Sequence, residues 1–163
     1  PIGDRLADVC LTDGNTELFV ASSKGRAVHF SEKQLRPTGR IASGVRGIRL
    51  AHDDFAIGVV PVKAGGGIVA ITEKGYGKFT DIAKYKMQNR GGRGVRNLRV
   101  SDKVGNVVRV LAATDEENIL LVSSEGISIE LKVSSIRRTG RNASGVRLMA
   151  LSGKTKVVDG RIM

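Results

Sequence analysis

Three stretches of the sequence combine arginine with glycine in a pattern suited to binding phosphate. They cover residues 34–50, 84–100 and 135–151, and together they hold fourteen of the 27 basic residues and none of the 16 acidic residues. The planar guanidinium group of arginine pairs bidentately with phosphate oxygens, and glycine lets a backbone approach closely enough to offer its own N–H groups. We call these stretches the basic blocks and predict that they bind DNA.

The predicted DNA contacts are the fourteen basic side chains and four further residues of the middle block. They are Arg36, Arg40, Arg46, Arg49, Lys84, Lys86, Gln88, Arg90, Gly91, Gly92, Arg93, Gly94, Arg96, Arg99, Arg137, Arg138, Arg141 and Arg147. Single-strand binders stack bases on aromatic side chains, and Tyr85 is the one aromatic residue in the blocks, so the pattern favours a duplex. Phosphate contacts do not read bases, so we expect binding without sequence specificity.

Other residues that could do chemistry do not combine into a catalytic pattern. His29 lies in a strand-like segment with no acidic or cysteine partner beside it in sequence, and His52 precedes two aspartates in a polar turn. The segment Gly75-Tyr76-Gly77-Lys78 resembles a phosphate loop but lacks the spacing and the following helix of that motif. We predict no catalytic residue, no metal site and no cofactor.

The basic blocks close three repeats that align without gaps, and the repeats indicate how the blocks are positioned. The units are approximately residues 1–50, 51–100 and 101–151 of a single repeat domain spanning 1–163, with 152–163 as a closing or strand-exchange segment. Short apolar runs separated by glycine-containing turns predict about four strands in each unit. In the first unit they are Leu6–Leu11, Leu18–Ser22, Ala27–Phe30 and Val45–Leu50.

Four short strands per repeat of about 50 residues predict an all-β fold of propeller-like blades. Radial stacking would place the basic blocks on one rim, and Val20, Val28, Val45, Ile48 and Leu50 would fill the core. Short helical turns are predicted around Ser31–Leu35, Asp81–Tyr85 and Ser134–Arg137. Roughly three blades do not close a disc, so we expect an open or partial disc, either part of a larger ring or paired as a homodimer through its open edges.

The net charge of +11 indicates a polyanionic partner. No apolar run is long enough to span a membrane, and the single Cys10 fits a reducing cytoplasm. The chain starts without methionine, so we expect it to be a piece of a longer protein. A protein-interaction propeller that docks on an acidic partner is the alternative from a different functional class.

One heptapeptide, Gln88-Asn89-Arg90-Gly91-Gly92-Arg93-Gly94, resembles the Gln-Arg-Arg-Gly-Gly-Lys-Gly box of the DNA gyrase A C-terminal domain family. It departs from the box at Asn89 and Arg93. The segments Glu73–Lys78 and Thr139–Arg147 also resemble this family, so the similarity covers essentially the whole chain.

The resemblance implies a β-pinwheel, a propeller-like disc in which neighbouring blades exchange strands, with this chain corresponding to later blades. It further implies that the domain wraps or bends duplex DNA to support supercoiling, in partnership with the catalytic core and the ATPase subunit of a type II topoisomerase in the bacterial cytoplasm. The related subunit of topoisomerase IV, whose disc selects DNA substrates, is the alternative parent.

Overall fold

The computed structural model describes residues 3–163, which form the predicted all-β fold. The strands are β1 (Glu17–Ser22), β2 (Arg26–Ser31), β3 (Ala56–Pro61), β4 (Gly67–Thr72), β5 (Tyr76–Asp81), β6 (Val95–Arg96), β7 (Val107–Ala113), β8 (Asn118–Ser123), β9 (Ser128–Lys132), β10 (Val146–Arg147) and β11 (Val157–Ile162). The predicted helical turns are confirmed as 3-10 turns at Glu32–Gln34, Ile82–Lys84 and Val133–Ser135. Residues 3–163 contain no helix that could cross a membrane.

Each sheet is built on one β-hairpin and is completed by strands from the repeat that follows. The hairpin β1–β2 lies between β3 and β6, and the hairpin β4–β5 lies between β7 and β10, all in antiparallel ladders. The third sheet joins β8–β9 to β11 and has three strands. The four segments of one repeat are therefore shared between two sheets, which is the strand exchange that the resemblance implied. The division of the chain into units ending at 50, 100 and 151 stays a prediction.

The three sheets meet along one edge and leave the opposite edge free. Strand β7 packs against both β3 and β11, so these three strands form the inner edges of consecutive sheets. Strands β6 and β10 lie at the opposite edges of the first and second sheets. The ends of the second and third basic blocks, which contain β6 and β10, are therefore on the outer rim.

Two predicted strands of the first repeat do not form. The segments Leu6–Leu11 and Val45–Leu50 contain no strand, and Leu6, Leu11 and Val45 are exposed. In the second and third repeats, the equivalent segments pair with the preceding hairpin. Within residues 3–163 no hairpin precedes β1–β2, so these two segments have no partner to pair with and their apolar pattern alone does not make them strands.

Two apolar clusters between neighbouring sheets form most of the core, and a third lies on the first sheet. The first cluster is anchored by Phe19 and Tyr85, whose rings pack edge to face at 4.8 Å between centroids. Predicted core residues Val28 and Ile48 are buried and Val20 is half-buried, whereas the predictions for Val45 and Leu50 are wrong. Both side chains are exposed because the segment that carries them lacks a partner hairpin.

In the first and second sheets, a glycine in the hairpin turn receives the outer strand at close range. The carbonyl of Gly75 accepts hydrogen bonds from the N–H groups of Leu148, at 2.8 Å, and Met149, at 3.1 Å. Gly75 has a φ of +79°, and a Cβ there would lie 2.3 Å from the carbonyl oxygen of Met149. Gly126, the equivalent residue of the third sheet, has the same φ of +79° with nothing within 4 Å of such a Cβ. Only glycine fits the seam between hairpin and outer strand.

Candidate nucleic-acid interface

The second and third basic blocks reach the rim because each ends in a short outer strand. Strand β6 pairs with the start of β2, with Arg96 opposite Arg26, and β10 pairs with the start of β5, with Arg147 opposite Tyr76. Gly94 precedes β6 at a φ of +63°, where a Cβ would lie 2.2 Å from the carbonyl oxygen of Ala27. This glycine lets the block lie flat against the hairpin before its arginines turn outward.

Most of the predicted contact residues have exposed side chains. The exposed basic residues are Arg36, Arg40, Arg46, Arg49, Lys84, Lys86, Arg93, Arg96, Arg99, Arg137, Arg138 and Arg147. Arg90, Arg141 and Gln88 are half-buried. Exposed cations without acidic partners are available to phosphate, so the ion pairs and hydrogen bonds of each block decide which residues could serve.

Arg90 holds two repeats together. Its Nε donates to the Gln34 carbonyl at 2.9 Å, its NH1 donates to the Arg46 carbonyl at 3.2 Å, and its backbone N–H donates to the Gln34 side chain. Arg141, one repeat later, donates to the Arg96 carbonyl at 3.4 Å. These two arginines clamp a block to the block before it, so much of their donor capacity is already used.

Replacing Arg90 with alanine is expected to lower the free energy of unfolding by about 1 to 2 kcal/mol, because charge-assisted bonds to two carbonyls are lost. Chemical denaturation measures the change. Arg40, at the equivalent position of the first repeat, is exposed, and Arg40→Ala should stay within about 0.5 kcal/mol of wild type. Equal losses in the two variants would show that the clamp contributes nothing.

Arg138 is engaged in a salt-bridge network. Its guanidinium group pairs with Asp81 and Asp115 and lies 4.6 Å from the centre of the Phe79 ring. It is the one basic-block residue that forms an ion pair within residues 3–163. Its charge is largely compensated, whereas the adjacent Arg137 is exposed and lacks such a pair.

The box-like heptapeptide forms the join between the first two blocks. The N–H of Gly91 donates to the Gly47 carbonyl at 2.6 Å, and the Gly92 carbonyl accepts from Arg49 at 2.8 Å. The N–H of Gln88 donates to the His29 carbonyl at 2.8 Å. The Gly91 N–H is thus used within the fold, and the predicted contact of Gly91 with DNA stays a prediction. Arg93, in contrast, is exposed.

The other chemistry-bearing residues serve the fold. His29 is buried, and its ring nitrogens lie 2.9 Å from the Tyr85 carbonyl and 2.8 Å from a Glu17 carboxylate oxygen, a partner on the paired strand that sequence proximity did not reveal. His52 and Asp53 contact each other in an exposed turn. Among residues 3–163 no cluster of three metal-binding side chains occurs.

Lys78 is fully buried at a position where the other repeats have Val28 and Ile129. Its ammonium group donates to the Gly140 carbonyl at 2.7 Å, so it fastens β5 to the third block. Burial, together with the charges of Arg141 and Lys84, lowers the pKa of Lys78 from 10.5 to about 8. This lysine is part of the support under the rim rather than part of the exposed surface.

A second group of cations, which counting within the blocks missed, gathers around Arg147. Lys74, Lys103 and Lys154 lie outside the basic blocks but line a cleft with Tyr76 and Arg147. Lys103 and Lys154 occupy equivalent positions one repeat apart, so the repeat alignment could have singled them out. The basic surface therefore extends from the rim to the ends of the hairpins.

Comparison with known proteins identifies relatives of this architecture. A family model described as DNA gyrase C-terminal domain, beta-propeller, matches residues 16–63, 68–114 and 117–161. The DNA gyrase A protein of Ureaplasma parvum is 41% identical over 155 residues, which are 95% of this chain and 18% of that protein. The DNA gyrase A protein of Staphylococcus epidermidis is 39% identical over 150 residues, 91% of this chain and 17% of that protein.

Two solved structures share the fold. The C-terminal domain of a DNA gyrase A superposes with a TM-score of 0.85 at 27% identity, covering 90% of this chain and 50% of that one. The C-terminal domain of a DNA topoisomerase IV gives a TM-score of 0.88 at 26% identity, covering 94% and 48%. The chain thus spans about half the length of these domains and less than a fifth of the two gyrase A proteins.

Proposed function

The chain belongs to the DNA gyrase C-terminal domain family, and on that premise we propose that it binds duplex DNA along its basic rim and bends it without reading its sequence. The observation that supports this most directly is the outer position of the blocks. Arg93, Arg96 and Arg99 are exposed at the outer edge of the first sheet, and none of them forms an ion pair within residues 3–163.

Bending follows from the arrangement of the sheets. Because β3, β7 and β11 meet at the inner edge, the outer edges fan apart, and a duplex that contacts several of them must curve. Curving 20–30 base pairs costs on the order of 1–6 kcal/mol, which several phosphate contacts offset. We propose this rim for backbone contact and shape rather than for base recognition.

The catalytic activity would lie in other parts of the enzyme to which this domain belongs. We propose that the domain does no chemistry itself and serves the catalytic core and the ATPase subunit of a type II topoisomerase in the cytoplasm. The relatives from Ureaplasma parvum and Staphylococcus epidermidis are both gyrase A proteins, which favours gyrase over topoisomerase IV as the parent.

The double variant Arg93→Ala, Arg99→Ala tests the rim. Fluorescence anisotropy with a duplex of about 40 base pairs should show log K falling less steeply with log salt, by about 1.8, because two phosphate contacts are removed. The loss of affinity should be similar for duplexes of different sequence. Gel mobility of circularly permuted duplexes in the same complexes measures the bend.

The control replaces two exposed basic residues outside the blocks, Lys132 and Arg161, with alanine. It removes the same charge, but its slope of log K against log salt should differ from that of wild type by no more than about 0.5. If the wild-type protein did not bind the duplex at low salt, the proposal would be refuted. Binding that responds only to one DNA sequence would refute the phosphate-contact model.

A further inference from the structure

A cleft near the rim is lined by cations from three turns. We call it the seam cleft. Its volume is about 530 Å³, and its walls include Lys74, Tyr76, Lys103, Arg147 and Lys154. Lys74 lies in the β4–β5 turn, Lys103 in the turn before β7, and Lys154 in the turn before β11. Because these turns stand at the same end of neighbouring sheets, residues distant in sequence share one cavity.

Arg147 is fixed at the wall of the cleft by a cross-strand pair. It lies opposite Tyr76 in the β10–β5 ladder, with its guanidinium carbon 5.6 Å from the ring centre and its NH2 group 3.2 Å from the Tyr76 hydroxyl, to which it donates. This hydrogen bond and the charges of Arg147 and Lys103 lower the pKa of Tyr76. The wall therefore presents an oriented guanidinium group in a positive field.

Three further cations of the seam cleft, Lys74, Lys103 and Lys154, form no ion pair with a carboxylate within residues 3–163. The Lys74 ammonium group donates to the Asp102 backbone carbonyl, which leaves its charge in place. Lys103 and Lys154 are exposed and form no ion pair within residues 3–163. Lys156 also lines the cleft, but its ion pair with Glu73 compensates its charge and lowers the pKa of that carboxyl.

A smaller cleft occupies the equivalent place on the first sheet. It has a volume of about 360 Å³, and its basic lining comes from Lys24, Arg26, Arg96 and Arg99. Lys24 and Arg96 are the repeat counterparts of Lys74 and Arg147, so both complete sheets carry such a cleft. Like charges brought together in a concave site raise the local concentration of anions. Because equivalent clefts occur on both sheets, we infer that one extended ligand contacts both of them.

We propose that the seam cleft binds phosphodiester groups of the duplex held by the rim, so that contact with the DNA extends from the rim to the hairpin ends of the sheets. The proposal rests on the proposed function. A fixed guanidinium, a hydroxyl and three ammonium groups match the charge and the hydrogen-bond acceptors of a phosphate backbone. The cleft adds phosphate contacts to those of the blocks and changes the path of the DNA across the sheets.

The test compares two double variants on the same duplex of about 40 base pairs. Lys103→Ala, Lys154→Ala should lower the magnitude of the slope of log K against log salt by about 1.8 and weaken binding about 10- to 60-fold near 0.1 M salt. Lys132→Ala, Arg161→Ala is the charge-matched control and should keep the wild-type slope. Thermal unfolding by circular dichroism verifies that each variant is folded.

The outcomes separate this proposal from the function on which it rests. A wild-type slope in the Lys103, Lys154 variant, with a reduced slope in the Arg93, Arg99 variant, overturns the cleft and leaves the rim in place. If the wild-type protein does not bind DNA, the proposals for the rim and for the seam cleft are both overturned. Inorganic pyrophosphate is the second ligand to test, after the duplex. If it shifts the amide signals of Gly153 and Thr155 at micromolar concentration while the slope stays unchanged, the cleft holds a small polyphosphate and the duplex assignment is wrong.

Discussion

Replacing Gly75 with alanine is expected to lower the free energy of unfolding by about 3 to 5 kcal/mol. The positive φ costs an alanine about 1 to 2 kcal/mol. The added Cβ would also meet the Met149 carbonyl at 2.3 Å, and relieving such overpacking costs typically 1–3 kcal/mol. To make room, β10 must move away from the hairpin, so the hydrogen bonds that Gly75 accepts from Leu148 and Met149 weaken as well.

Gly126→Ala separates the clash from the backbone strain. Gly126 has the same φ of +79° and no atom near the position that a Cβ would take, because the third sheet has no outer strand within residues 3–163. It should lose about 1 to 2 kcal/mol, the cost of the backbone conformation alone. Urea denaturation of the two variants measures the difference, and equal losses would mean that the outer strand does not press against the turn.

Replacing Lys78 with methionine is expected to stabilise the fold at pH 7 by about 1 to 2 kcal/mol, since a buried ammonium group is exchanged for an apolar side chain of similar length. The lowered pKa also predicts the pH dependence. Below about pH 8 the folded chain bears the full cost of the buried charge, and this cost disappears as pH rises towards 10.5, where the unfolded lysine also loses its proton. Across that pH window, the free energy of unfolding of wild type should therefore rise by about 2 to 3 kcal/mol relative to that of the variant.

Stability curves of wild type and Lys78→Met from pH 7 to 10.5 test this sign. Burial raises the pKa of Tyr85, which lowers stability above its unfolded pKa, but both proteins share that effect and it cancels in the difference. Lys84→Met removes an exposed neighbouring charge and should give a curve nearly parallel to wild type. If the curves of wild type and Lys78→Met ran parallel instead, burying the charged form of Lys78 would not destabilise the folded protein.

The hairpins were predictable from sequence because their signals are local. Leu18–Ser22 and Ala27–Phe30 are short, mostly apolar runs on either side of a glycine turn. The structure confirms them as β1 and β2 to within one residue at each end. The sheet that an outer strand joins was not predictable, since Val95–Arg96 pairs with a hairpin almost 70 residues earlier. That choice depends on packing between repeats, which no short window of sequence contains.

The candidate site shows the same division. Exposure of Arg93, Arg96 and Arg99 agrees with the concentration of charge in the blocks. The engagement of Arg138 could not be foreseen, because its partners Asp81 and Asp115 lie 57 and 23 residues away. Lys78 carried a usable signal, since its repeat counterparts Val28 and Ile129 are apolar and mark an inward position.

The sharing of strands between repeats bears on how such a chain could grow. The second and third repeats each supply a hairpin and lend an inner and an outer strand to the hairpin before it. A tandem duplication of one whole repeat would therefore leave every ladder paired, because the inserted copy lends two strands and receives two. Gene-level gain or loss of whole repeats is thus the change that this architecture tolerates, which allows the length of the basic rim to vary in steps.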